Sequence, residues 1–147
     1  MNPNTRQTLD SLAAVLRKET DTASMMEELI RRKQRSFIQW HTGELESVVV
    51  EEEGIIASLT ILEKERIALV KMLSRSQQRL LTMKEILALY PDAELARAYA
   101  DLQTVSARVM RFNHQNRQLV QSSLSFVRKT MGFITGNFRY RLLDQKV

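Results

Sequence analysis

From Leu9 to Trp40 apolar residues recur at alternating spacings of three and four: Leu9, Leu12, Leu16, Ala23, Met26, Ile30, Phe37 and Trp40, with Glu19 and Lys33 in the two remaining positions. That spacing predicts a helix with one buried heptad seam. A second seam starts after His41-Thr42-Gly43-Glu44 and runs through Leu45, Val48, Ile55, Leu59, Leu62, Leu69 and Leu73, with Glu52 and Arg66 at its polar positions. Gly43 is expected to end the first helix in a left-handed conformation, and Glu44 and Glu46 suit the positive N-terminus of the second.

Folding the two helices back on each other at Gly43, so that the numbers of facing residues add to 85, brings the exceptions together. Lys33 meets Glu52 and Glu19 meets Arg66, while Trp40 meets Leu45, Phe37 meets Val48, Ile30 meets Ile55, Met26 meets Leu59 and Leu16 meets Leu69. Hydrophobic pattern, turn and charge agree on one antiparallel register. The β-branched Val48-Val49-Val50 and Ile55-Ile56 argue for strand, and Gly54 weakens a helix by about 1 kcal/mol relative to Ala. The 3/4 spacing nevertheless continues through Glu51-Glu52-Glu53, which breaks any strand alternation, so helix is the reading, with a bend expected at Gly54.

Ser74 to Leu81 reads as a polar connection. Thr82-Met83-Lys84-Glu85 has the form of a capping box opening a short helix over 83–89, which Tyr90-Pro91 ends. Asp92 then caps a last helix expected to run to Gly136. Its seam is Leu95, Ala98, Leu102, Val105, Val109, Phe112, Asn116, Leu119, Phe126 and Phe133; past Asn113 a second stripe of Val120, Leu124, Val127, Met131 and Ile134 lies beside it. Two stripes require two coverings. The hairpin supplies one, and the other is either the short helix or tail of this chain or a helix from a partner. The fold class is therefore all-α: an elongated antiparallel bundle of three long helices and one short one, a single domain with a hairpin over 5–75, the long last helix over 93–136 and a basic tail over 137–147.

Composition narrows what such a bundle does. The 147 residues hold no Cys, 4 Gly and 2 Pro, so disulfides, thiol catalysis and thiolate metal sites are excluded and long helices are favoured. Net charge is +5, but residues 1–102 carry 14 Lys or Arg against 16 Asp or Glu, whereas residues 103–147 carry 8 against Asp144 alone. The basic character belongs to the C-terminal third. His41 and His114 lack any metal-ligand spacing and read as ordinary surface histidines. No Gly cluster cradles phosphate and no base is placed beside a nucleophile, so neither enzyme, cofactor nor metal is expected. Met1 to Thr8 is polar and no run of about 18 apolar residues occurs, which predicts a cytoplasmic chain without membrane insertion.

The run Asn113-x-x-Asn116-x-x-Leu119-Val120-x-x-Ser123-Leu124-x-Phe126-Val127 resembles the C-terminal signature of the FlgN family of flagellar export chaperones. The Leu-rich first helix, the Gly43-Glu44 turn, Leu62-Glu63 with Glu65-Arg66, and Thr82-x-x-Glu85-Ile86-Leu87 with its Pro91 stop are similar as well, so the likeness covers nearly the whole chain. It implies a cytoplasmic chaperone that binds the C-terminal helical segments of hook-associated proteins one and three and delivers them to the type III export apparatus. The implied client surface is Asn113, Asn116, Leu119, Val120, Ser123, Leu124, Phe126, Val127 and Met131, extended along the stripe to Ile134. Family C-termini vary, so nothing carries over to the tail.

The residues suit that role. A client segment that folds on binding loses conformational entropy, which a long apolar strip offsets at roughly 1.5–3 kcal/mol per buried Leu or Phe. Arg108, Arg111, Arg117, Arg128 and Lys129 are placed to steer an acidic client. The alternatives are a basic helical adaptor for nucleic acid or an acidic partner, and a structural coiled coil that self-associates. Sparse, interleaved cations disfavour nucleic acid, and the chain alone is expected to be a monomer or weak homodimer.

Overall fold

The computed structural model describes residues 1–135, with side chains through residue 122. It contains α1 (Pro3–Ile38), α2 (Thr42–Leu73), α3 (Met83–Leu89) and α4 (Ala93–Thr135), and no strand occurs among the described residues. The architecture is an all-α helical bundle of three long helices and one short one. By its contacts the chain divides into two units, 1–110 and 111–147.

Helix α1 begins six residues before its first heptad leucine, because Asn2 accepts the Asn4 N–H at 2.9 Å and Pro3 occupies the first helical position, where a missing N–H leaves nothing unsatisfied. Helices α1 and α2 then pair in the expected register. Arg66 donates to Glu19 at 3.0 Å, and Lys33 donates to Glu52 at 3.3 Å. A further cation locks the same alignment: Arg32 reaches Glu51 at 2.7 Å and Glu44 at 2.9 Å. Around these polar contacts Leu12, Leu16, Ile30, Val48 and Ile55 are buried. Helix α2 passes unbroken through Gly54, where an added methyl group would meet open space.

The turn differs from expectation. Gly43 lies inside α2, and the left-handed residue is Trp40, at φ 56°. The His41 N–H reaches the Ser36 carbonyl at 2.9 Å and the Trp40 N–H reaches Phe37 at 3.3 Å, the paired hydrogen bonds of a Schellman ending. Trp40 is consequently no core partner of Leu45: it is 71% exposed and stacks on Phe37 with ring centroids 6.1 Å apart. The seam stops at Phe37 because the chain must reverse there, and reversal turns the next heptad position outward.

At the other end of the hairpin, Leu9, Leu12, Ala13 and Leu16 of α1 meet Val70 and Leu73 of α2, Leu81, Ile86 of α3, and Leu95 and Ala98 of α4 in one core cluster. The connection 74–82 is less polar in structure than in sequence. Ser74 is buried, donates to the Val70 carbonyl at 2.6 Å and accepts the Leu81 N–H at 3.1 Å, which draws Leu81 into the core. Thr82 caps α3 by accepting the Glu85 N–H at 3.2 Å. Glu85 is held below the usual carboxylate range, chiefly by the Arg79 guanidinium at 2.9 Å.

The Glu19 side chain is only 8% exposed, and burial pushes its carboxyl above the usual range, against the opposing pull of Arg66. Arg66→Met is therefore expected to destabilise the fold by about 2 kcal/mol near neutral pH, since it leaves a desolvated carboxylate unpaired. A carboxyl with a raised folded-state pKa penalises folding only when ionised. The deficit should shrink as pH falls into the carboxylate range, and the double variant Glu19→Leu/Arg66→Met should recover the lost stability. Denaturant unfolding at several pH values measures both. At the turn, Trp40→Gly should melt higher than Trp40→Ala, by about 1 kcal/mol in stability, because both lose the ring stacking but only Gly relieves the positive φ.

Candidate functional site

The start of α4 is positioned by its N-terminal cap. Asp92 accepts the Leu95 N–H at 2.9 Å and receives Arg6 at 2.7 Å, although its side chain is only 6% exposed. The hydrogen bond from Leu95, joined by the Arg6 charge, holds its carboxyl below the usual range. Leu95, Ala98 and Val105 are buried along the next turns of α4. Arg108 donates to Glu27 at 3.2 Å, which makes this cation a structural contact within the 1–110 unit and no longer a free charge for steering a partner.

In the second unit α4 continues through the residues that the sequence marks for partner binding. Arg111 lies over the Phe112 ring, 5.4 Å from its centroid, so part of its cationic face is already engaged. Asn113, Leu119 and Val120 are half-buried. Asn116 is 4% exposed, and its Oδ1 accepts no hydrogen bond among the described residues. A buried amide oxygen without a donor is unfavourable by about 1–3 kcal/mol unless something donates to it.

At about 100° per residue, Asn113, Asn116 and Val120 share one face of α4 with positions 124, 127, 131 and 134, while Leu119 and position 126 lie on the neighbouring face. The helix thus brings the Asn pair and the second stripe together in register. Ser123, Leu124, Phe126, Val127, Met131 and Ile134, with Arg128 and Lys129, lie outside the residues whose side chains are described, as do Gly136 and the tail.

No cluster of His, Asp or Glu that would hold a metal ion occurs among the described residues, and no helix among them is long and apolar enough to cross a membrane. The family model described as FlgN protein matches residues 1–140. The chain belongs to the FlgN family. The match takes in the hairpin, α3 and the whole second stripe, and the family is one of flagellar export chaperones, which sets this FlgN protein in flagellum biogenesis. Comparison with curated proteins and with solved structures returns no match.

Sequence reasoning placed the Asn pair but not the special state of Asn116. Its position on the apolar seam, where an amide needs a donor, was the available signal. The contacts made by Arg6, Arg32 and Arg108 were missed because each joins residues outside a heptad seam. Asn116→Leu removes an unsatisfied acceptor from a buried position, so thermal unfolding should show stability equal to the parent chain or higher by about 1 kcal/mol.

Proposed function

We propose that this FlgN protein is a cytoplasmic export chaperone that binds the C-terminal helical segments of hook-associated proteins one and three, keeps them unassembled and delivers them to the flagellar type III export apparatus. The carrying observation is the family match over residues 1–140, which spans the whole of the second stripe on α4. Client contact falls on Asn113, Asn116, Leu119, Val120, Ser123, Leu124, Phe126, Val127, Met131 and Ile134.

Three features support this assignment of the surface. The hairpin seams close on each other, with Glu19–Arg66 and Lys33–Glu52 in facing layers, so their apolar residues are already covered. Helix α3, one of the elements able to cover the second stripe, buries Ile86 in the core of the 1–110 unit. The Oδ1 of Asn116 is buried without a donor among the described residues, and the half-buried Asn113 on the same face offers an amide that would fix the register of an incoming chain, which apolar contacts alone leave loose. Cations already held by Glu27 or lying over Phe112 make a poor phosphate-tracking stripe, which sets nucleic acid aside.

Co-purification of the two hook-associated proteins with the intact chain tests the reading. Val120→Asp/Leu124→Asp should lower client affinity by tenfold or more, about 1.4 kcal/mol or greater, with helical content retained. Asn113→Leu should reduce capture while leaving the melting temperature unreduced. Raising salt through the physiological range should weaken capture little, since apolar burial dominates it. Equal client recovery by a folded Val120→Asp/Leu124→Asp variant would remove α4 from the role.

A further inference from the structure

Helix α2 is apolar on the side its seam does not use. Val50 is 67% and Ile61 59% exposed, and Gly54 and Ala57 lie between them, also exposed, at spacings of four, three and four. At about 100° per residue these four residues occupy an arc of about 60° on the side of the helix opposite Val48, Ile55 and Leu59. Gly54 has no internal reason to be glycine: the helix runs straight through it without a positive φ, and an added methyl group would meet nothing within 4 Å. A helix-weakening residue in open space, at the centre of an exposed apolar stripe, lets another backbone approach closely.

We propose that this face of α2 is a self-association surface on which α2 of a second copy of the chain docks antiparallel. The stripe reads large, small, small, large from either end. A two-fold axis therefore sets Val50 against Ile61 and Gly54 against Ala57 of the second copy, twice over, as an isologous interface requires. One flanking pair of charges matches the antiparallel direction. Glu46 and Lys64 lie on one flank of the stripe, both exposed, and neither makes an ion pair among the described residues. Antiparallel docking keeps this flank on the same side in both copies and brings Glu46 of each to Lys64 of the other, whereas parallel docking sets the flank against the opposite one and separates Glu46 from Lys64 of the second copy. On the opposite flank Glu44 and Glu51 both accept from Arg32, which compensates the acidic side facing Glu65 of the second copy.

One helix face over about three turns is a small interface, so the dimer is weak and reversible. It involves residues of the 1–110 unit alone, and it stands or falls apart from the client assignment.

Sedimentation equilibrium of the intact chain tests it. A concentration-dependent monomer–dimer equilibrium is expected. Glu46→Lys and Lys64→Glu should each raise the dimer dissociation constant by about tenfold, and the double swap should restore it to near the parent value. Gly54→Leu should abolish the dimer while circular dichroism and melting show the monomer still folded, since its side chain enters open space. A chain that stays monomeric at every concentration overturns the proposal. So does a dimer whose dissociation constant ignores Gly54→Leu and both single swaps.

Discussion

The alignment of α1 against α2 is the constraint on which the rest depends. Two long helices with leucine seams can slide by a heptad at little loss of apolar contact, so hydrophobicity alone leaves the register weakly specified. The facing layers Glu19–Arg66 and Lys33–Glu52 remove that freedom, because a slip of one heptad sets each charge against an apolar side chain. Glu19 shows the energetic sign of the arrangement: burial raises its pKa, so the layer contributes discrimination between registers more than net stability. Arg32, gripping Glu44 and Glu51 together, adds a third lock near the turn.

With the register set, the open end of the hairpin presents Leu9, Leu12 and Leu16 opposite Val70 and Leu73, and this platform receives Ile86 of α3 and Leu95 of α4. The connection is organised by one hydroxyl, Ser74, which satisfies the end of α2 and the Leu81 N–H at once. The Arg6–Asp92 contact then ties the first turn of α1 to the cap of α4. The start of the last helix is fixed by the same end of the hairpin that closes the core.

What the sequence made legible was whatever obeys a period. The heptad seams, their polar interruptions, the Thr82 capping box and the Asp92 cap all rest on fixed spacings, and each appears where its spacing puts it. Features without a period were read wrongly or missed. Trp40 fits the heptad and glycine preference favours Gly43, yet the left-handed position falls on Trp40, because α1 ends at Ile38 and the two hydrogen bonds from Trp40 and His41 fix the reversal there. Ser74 and Leu81 looked polar and peripheral because burial at a connection depends on where three helices converge, which no local pattern encodes. On α4 the Asn-x-x-Asn spacing was legible, but the buried Oδ1 of Asn116, without a donor among the described residues, is a property of its surroundings.

The same constraint explains why α2 keeps apolar surface off its seam. A helix in a two-stranded pair buries one seam, and any apolar residue off that seam must find another neighbour or remain exposed. In α2 the off-seam residues Val50 and Ile61 are exposed, flanked by Glu46 and Lys64, a charge arrangement that complements its own reverse. In α4 the off-seam positions 120, 124, 127, 131 and 134 share a face with Asn113 and Asn116. Fixing the register of the seam thus leaves the remaining faces of the hairpin free to differ in polarity.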